Sequence, residues 1–295
     1  MKNHNKAKKT KKKYTTNVRR SGVIKTNRIY NIDCIKFMQK LIDENKIKFD
    51  VIVTSPPYNI NKYYTKYNDR REKNDYLDWL QRIAEKSKYI LKEDGAFFLN
   101  VGSTLKDPLL PYDIARRFID GGYKLQNTIH WIKSISFEDN DIGKNNILKE
   151  NTSVGHFKPI ISKRFLSDLH EYIFHFTKNG DLTIDKLAIG VTYQDKTNIG
   201  RWKSATSDRR DRGNNWFIPY NTIQERRPHP AIFPKKLPYL CIKLHGIKEN
   251  MIVYDPFMGI GSTALACIDI GVNFVGTEID NNYVKTANEY IKGCR

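Results

Sequence analysis

The residues of this 295-residue chain best suited to do chemistry are Ser55-Pro56-Pro57-Tyr58, which follow directly on the apolar run Val51-Ile52-Val53-Thr54. Two consecutive prolines hold φ at about −65° and donate no N–H, so the carbonyls beside Ser55 and Pro56 point in a fixed direction. Ser55 adds a side-chain oxygen and Tyr58 a flat ring. Acceptors beside a stacking surface suit the exocyclic amino group of a nucleobase swung out of its helix. The plainer alternative is a stiff turn that merely ends a strand, and the rest of the chain has to decide between the two.

A second group stands near the far end. Gly259-x-Gly261-x-x-Ala264 follows the apolar segment Met251-Ile252-Val253-Tyr254 and opens a helical stretch, and Glu278 comes about twenty residues later at the end of a further apolar run. Glycines let the backbone approach a ligand at a helix start, and a carboxylate in the position of Glu278 accepts hydrogen bonds from an adenosine ribose. The alternative is a turn that only packs a helix. Asp255, at the mouth of this turn, is badly placed beside a pyrophosphate and better placed near the α-amino group of S-adenosylmethionine, which favours that ligand over a nicotinamide dinucleotide.

Both groups need strands to carry them. Asp50 to Thr54 is rich in β-branched residues and ended by proline, as in a buried parallel strand whose carboxyl end faces a ligand. Arg28 to Cys34 reads as a short strand, with Asp33 as N-cap of a helix over Ile35 to Ile42. A polar, tyrosine-rich loop follows from Asn59 to Asn74, long enough to be functional or mobile. A helix then opens at Tyr76, runs through Ile90 and ends near Glu93-Asp94-Gly95. Ala96 to Gly102 is a strand, Pro111 to Gly122 a helix, and the strands Lys124 to Lys133 and His170 to Phe176 form a hairpin appended to a mainly parallel sheet. Residues 134–165 read as irregular, and the pattern is lost again from Lys178 to about Arg227. Leu237 to His245 is a helix, and a βαβ unit from Met251 closes the chain with a last helix over about Asn282 to Ile291.

The formal charge of +19 is unevenly spread: eleven of the 51 lysines and arginines lie in residues 1–28, and no acid precedes Asp33. Such a segment is too polar to build a core and suits a polyanion, or simply solvates the chain. A second basic region interleaves Arg201, Lys203, Arg209, Arg210, Arg212, Arg226 and Arg227 with Trp202 and Trp216, as a groove over a phosphate backbone needs. A solvated charged insertion is the alternative. Cys34, Cys241, Cys267 and Cys294 are scattered, without metal-ligand spacing, and no metal is expected. No apolar run is long enough to cross a membrane and no signal peptide stands at the N-terminus, so a soluble, cytoplasmic protein with no membrane partner is expected.

Thr54-Ser55-Pro56-Pro57-Tyr58 with Asp255-Pro256-Phe257-Met258-Gly259-Ile260-Gly261-Ser262-Thr263 resembles the exocyclic-amino DNA methyltransferases of restriction-modification systems, in the order of their circularly permuted β class. The reverse order is usual in RNA and protein methyltransferases with an Asn-Pro-Pro-Tyr turn. The resemblance implies an α/β fold: a permuted, Rossmann-like S-adenosylmethionine-dependent methyltransferase fold over residues 28–292, with a mainly parallel sheet, one antiparallel strand and target-recognition insertions at about 134–165 and 178–226, preceded by a basic tail over 1–27. It implies that Ser55, Pro56, Pro57 and Tyr58 are catalytic. Asp33, Phe233, Pro234, Asp255, Phe257, Gly259, Gly261, Ser262, Thr263 and Glu278 would meet the cofactor, and Trp131 and Lys133 would lie beside the target base. Double-stranded DNA is the implied substrate, taken by base flipping, with a separate restriction endonuclease as partner of a monomer or homodimer. Within the family, Ser at the first motif position goes mostly with cytosine N4, so cytosine-N4 methylation is expected and adenine N6 is the runner-up. No proline precedes a cysteine, which argues against carbon-5 chemistry. A nicotinamide oxidoreductase would leave the Pro-Pro-Tyr turn without a purpose, and a non-catalytic DNA-binding protein would share only the charge.

Overall fold

Along the chain of the computed structural model, strands and helices alternate: β1 (Arg28–Asn31), α1 (Cys34–Glu44), β2 (Phe49–Thr54), α2 (Lys73–Ile90), β3 (Leu91–Val101), α3 (Leu110–Asp120), β4 (Lys124–Ile132), β5 (Ser134–Phe137), β6 (Thr152–Gly155), β7 (His170–Thr177), β8 (Asn215–Phe217), α4 (Lys236–His245), β9 (Ile252–Asp255), α5 (Ser262–Ile270), β10 (Asn273–Glu278) and α6 (Asn281–Gly293). The described residues are 24–44, 47–142, 150–157, 159–201, 203, 206–219 and 232–294. Most of the expected basic tail, Trp202, Arg226 and Arg227 lie outside them. No helix among the described residues is long and apolar enough to cross a membrane.

The main sheet has the order β1-β10-β9-β2-β3-β7-β4-β8. From β1 to β3 all neighbours are parallel; β7 alone runs against its neighbours β3 and β4. β2 lies inside the sheet and all six of its residues are buried. Val51 and Val53 point to the face covered by α4 and α5, whereas Ile52 points to the face covered by α1, α2 and α3. A strand covered on both faces has no polar positions to alternate, which is why its sequence is a continuous apolar run.

β9 and β2 are the neighbours that matter most. Val51 pairs with Val253 and Ile52 with Tyr254, so the two motifs leave adjacent strands at the same edge. After β9 the chain crosses through α5 to β10 on one side, and after β2 it crosses through α2 to β3 on the other. Connections that depart in opposite directions leave a crevice at the carboxyl ends, the place where open α/β sheets bind ligands.

Four elements differ from their sequence expectations. α2 starts at Lys73 instead of Tyr76, because the Glu72 carboxylate accepts the N–H groups of Asn74 and Asp75 and caps the helix a turn before its first apolar residue. The helix also stops sooner: Leu91 is already extended against Phe49, and Lys92 reaches the buried Asp50 carboxylate at 2.7 Å. Within the supposedly irregular 134–165, β5 and β6 form a small antiparallel ribbon joined across by the Ser136 and Ser153 hydroxyls. In the patternless 178–226, β8 adds to the sheet beside β4, and its Trp216 is 1% exposed. Strands of three or four residues are too short to carry a readable hydrophobic periodicity.

Candidate active site

Because the strands run nearly parallel, the order of side chains along the carboxyl edge repeats the order of the strands. Asp33 follows β1, Glu278 ends β10, Asp255 ends β9, Ser55 follows β2, Asn100 lies at the end of β3, and Glu171 begins the reversed β7. Glu278 and Ser55 are thus two strand spacings apart, roughly 10 Å. Asp33, Ser55, Tyr58, Asn100, Glu171 and Glu278 all line one cleft.

At the β2 side of the cleft the Ser55 hydroxyl donates to Tyr58 Oη at 2.9 Å, and Tyr58 Oη donates to Glu171 Oε2 at 2.7 Å. Asn100 Nδ2 lies 2.8 Å from Tyr58 Oη and 2.7 Å from Glu171 Oε2. Lys133 Nζ holds the other carboxylate oxygen, Oε1, at 2.5 Å, and sits over the Trp131 ring at 5.3 Å from its centroid. Tyr76 Oη fastens the turn from beneath by donating to the Pro57 carbonyl at 2.7 Å. The network spans β2, β3, β4 and β7, so the antiparallel strand serves the site by bringing Glu171 to the edge where the parallel strands end. Pro56 and Pro57 line the cleft beside Ser55.

The β9–β10 side is built from backbone. Glu278 Oε2 accepts the Gly259 N–H at 2.9 Å and Oε1 accepts the Asp280 N–H at 2.8 Å, fixing the carboxylate at the rim. Burial raises its pKa, opposed by these backbone donors. Gly261 has φ 98°, and a Cβ there would stand 3.3 Å from the Ala287 Cβ of α6, so both conformation and close packing call for glycine. Asp33 caps α1, accepting the Lys36 N–H at 3.0 Å, and its expected roles as cap and as cleft residue coexist. Ser262 Oγ donates to the Phe233 carbonyl at 2.9 Å, tying the segment before α4 to the start of α5.

Asp255, Gly261, Thr263 and Pro234 do not line the cleft. Asp255 is 1% exposed; its Oδ1 accepts from Thr54 Oγ1 at 2.6 Å and from the Phe257 N–H at 2.9 Å, and its Oδ2 accepts from Thr263 Oγ1 at 2.6 Å. Burial pushes its carboxyl up to about 6 against those three donors. It therefore acts as a rivet between the two motifs, clamping the end of β2 to the start of α5.

Residues 59–72 form an ordered roof. The buried Asp69 carboxylate accepts the N–H groups of Asn59, Ile60 and Lys62, and the Arg71 guanidinium lies over both the Tyr67 and the Trp79 rings, 4.9 and 4.8 Å from their centroids. Trp79 in turn packs on Phe257 at 5.4 Å. Thr65 bonds Asp280 across the opening. Among the described residues Tyr67 Oη and Asn100 Oδ1 are buried without a hydrogen-bond partner, and both residues line the cleft. Orphaned polar atoms in a cleft that also holds the Phe257 ring and the fixed Glu278 carboxylate fit a ligand that carries a flat heterocycle, a ribose and polar termini.

Comparison with known proteins gives the same answer from the whole chain. The sequence model of a family described as DNA methylase matches residues 49–289. The chain belongs to this DNA methylase family. It is 29% identical over 280 residues to the type II methyltransferase M.BglII of Bacillus subtilis, covering 90% of this chain and 69% of that protein. It is 25% identical over 241 residues to the DNA adenine methyltransferase YhdJ of Escherichia coli, covering 80% and 74% respectively. The structure of the cytosine-N4-specific PvuII DNA methyltransferase shares the fold, with a TM-score of 0.61 at 18% identity over 90% of each chain. The protein is accordingly an exocyclic-amino DNA methyltransferase of the restriction-modification type, and S-adenosylmethionine is the methyl donor of its family.

In this methylase the residues expected to meet DNA divide into two sets. Arg201 and Lys203 are exposed, and Arg201 Nη1 reaches Asn198 Oδ1 at 3.4 Å. Arg209 Nη1 donates to the Gly190 carbonyl at 2.7 Å and Arg212 Nε to the Ile189 carbonyl at 2.9 Å, while the Arg210 backbone bridges to Val191, so these three also hold their own loop together. Trp216 donates Nε1 to the Gly213 carbonyl from a buried position and is a packing residue, unavailable for base stacking. Sequence reasoning missed Asn100, Glu171, Asp69 and Arg71. A signal existed for the first two: each is a polar residue inside an otherwise apolar strand, and a buried polar group needs partners.

Proposed function

We propose that this methylase transfers the methyl group of S-adenosylmethionine to the N4 amino group of cytosine in a specific double-stranded DNA sequence, as the modification half of a type II restriction-modification system whose endonuclease acts separately. The observation that carries the reading is Ser55 at the head of the Pro-Pro-Tyr turn, with its hydroxyl in the cleft and bonded to Tyr58. Adenine N6 is the second reading, favoured by the similarity to YhdJ.

An aromatic amine is a poor nucleophile because its lone pair is spread into the ring. S-adenosylmethionine, when bound, supplies an electrophilic methyl on a sulfonium. The task of the chain is to aim the amine, and the polarity of the hydrogen-bond network does this. Glu171 accepts from Tyr58, and Tyr58 accepts from Ser55, so the Ser55 O–H points away from the base; Asn100 Nδ2 meets one Oγ lone pair at 3.4 Å, and the other is left for an amine hydrogen. The Pro56 carbonyl takes the second hydrogen. Held this way, the nitrogen moves toward a tetrahedral arrangement with its lone pair directed at the cofactor side of the cleft. Positioning of this kind supplies roughly 7–11 kcal/mol in favourable cases. The Tyr58 ring replaces base stacking worth about 1–3 kcal/mol, against a flipping cost of a few kcal/mol. Glu278 and Asp33 would hold the adenosine end of the cofactor, with Phe257 and Phe233 as its apolar walls. Arg201, Lys203, Arg209, Arg210 and Arg212 follow the phosphate backbone.

Plasmid DNA from cells expressing the chain, digested to nucleosides, is expected to contain N4-methylcytosine. N6-methyladenine without N4-methylcytosine would transfer the assignment to adenine.

A further inference from the structure

The methylase exposes an apolar cluster that the described site does not use. Ile161 is fully exposed, Leu166 is 91% exposed and Phe165 52%, and the exposed Lys163 and Arg164 lie between them in sequence. The segment has a defined shape: Ser162 Oγ accepts the N–H groups of Arg164 and Phe165, and the Ile160 N–H bonds Ser167 Oγ at 3.4 Å, closing a compact loop over residues 160–167.

The base of this loop is fixed to the side of the cleft where the target base is proposed to lie. Lys133 N–H bonds the Leu169 carbonyl at 2.8 Å, two residues before Glu171. Ser103 Oγ donates to Asp168 Oδ2 at 2.7 Å, and the neighbouring Gly102 is so close to the Tyr58 ring that a Cβ would stand 3.1 Å from it. The loop therefore springs from the rim beside Tyr58, Lys133 and Glu171.

Exposed apolar side chains on a loop rooted beside a base pocket, with cations between them, match one partner: the interior of a DNA duplex from which a base has been withdrawn. Proteins that distort DNA insert Phe, Leu or Ile between base steps, and flanking cations engage the phosphates. We infer that Ile161 and Leu166 form a wedge that enters the duplex at the target pair and occupies the gap left by the flipped base, with Lys163 and Arg164 on the adjoining phosphates. The inference rests on the amino-methylation reading above.

The test compares two duplexes carrying the recognition site mapped on methylated plasmid DNA, one fully paired and one with an abasic site opposite the target base. The wild-type chain and an Ile161→Ser/Leu166→Ser double variant are assayed for single-turnover methyl transfer, with sedimentation run in parallel. Extrusion of an unpaired base costs least, so the double variant should lose about tenfold or more on the paired duplex and less than about twofold on the abasic one. An equal loss on both duplexes, or no loss on either, overturns the wedge. A loss on both that accompanies a change from dimer to monomer overturns it in favour of a contact with a second copy. A wild-type chain that methylates neither duplex overturns the underlying reading together with the wedge.

Discussion

The two sides of the cleft are built on opposite plans. The β9–β10 side is local: Gly259 and Glu278 belong to one βαβ unit, and their contact is made by a backbone amide only 19 residues from the carboxylate it meets. The β2 side is assembled from a distance, with Tyr58 and Glu171 separated by 113 residues and Asn100 and Glu171 by 71. One side is a peptide conformation that few residues secure, and the other is a side-chain network in which every member depends on the rest. The difference predicts that the cofactor side tolerates change around it and the base side does not, and that each can be damaged without the other.

The largest effect expected from breaking this contrast is on Glu171. In Glu171→Leu the Lys133 ammonium, whose side chain is 17% exposed, loses its carboxylate. Removing one member of a buried pair costs about 3–5 kcal/mol, so urea unfolding should show a loss of that size and methyl transfer should be abolished. An unchanged midpoint would mean that the network does not act as a unit. Next in size, Glu278→Ala removes hydrogen bonds to a charged acceptor worth about 1.5–3 kcal/mol, so S-adenosylmethionine affinity measured by calorimetry should fall about 10- to 100-fold with DNA affinity unaltered. Parallel losses in both affinities would blur the distinction between the sides.

Beneath both sides lie two buried histidines, His175 and His245, at 0% and 4% exposure. Burial lowers their pKa values, to about 3 and about 4. Between the unfolded value of about 6.5 and those values the unfolded chain binds more protons than the folded one. Stability present above pH 6.5 is therefore lost as pH falls, by up to about 1.4 kcal/mol per pH unit for each ring. Below about pH 6 the buried Asp255 carboxyl, raised to about 6, opposes this slope, because the folded chain then holds a proton that the unfolded chain does not. The histidine contribution is read as the difference between the thermal unfolding of wild type and His245→Leu from pH 7 to 5, the variant losing less stability by up to about 1.4 kcal/mol per pH unit; identical slopes would remove His245 from the account. The smallest effect is expected for Tyr58→Phe, which keeps the ring and deletes the hydroxyl between Ser55 and Glu171. Transfer should slow by about 3- to 10-fold, because the three partners of that hydroxyl each keep another contact, Ser55 with Asn100, Asn100 with Glu171 and Glu171 with Lys133, and cofactor affinity should hold.

The same contrast explains what could be read from the residues alone. Ser55 to Tyr58, the Gly259–Ala264 turn and Glu278 are sequence-local signatures, and together with the run Asp50 to Thr54 they place a cleft at the carboxyl edge of a mainly parallel sheet, while the neighbouring strands Lys124 to Lys133 and His170 to Phe176 announce its antiparallel strand. Asn100, Glu171 and Lys133 meet only after β7 has inserted between β3 and β4, and of its two pairings the sequence announces only the hairpin with β4, not the one with β3. Asp255 illustrates the converse: its position in the motif pointed to the cofactor, yet three donors from Thr54, Phe257 and Thr263 turn its carboxylate inward. The small strands β5, β6 and β8 escape notice because three or four residues are too few for an alternation, even that of Ser134-Ile135-Ser136-Phe137, to stand out from chance.

The separability of the two sides is tested most directly by Ser55→Ala, with methyl transfer and S-adenosylmethionine binding measured on the same preparation. Loss of one preorganised hydrogen-bonding group should lower single-turnover transfer by about 10²- to 10³-fold, while the dissociation constant of the cofactor stays within about twofold of the wild-type value. Transfer at the wild-type rate, or a loss of transfer matched by an equal loss of cofactor binding, would contradict the account.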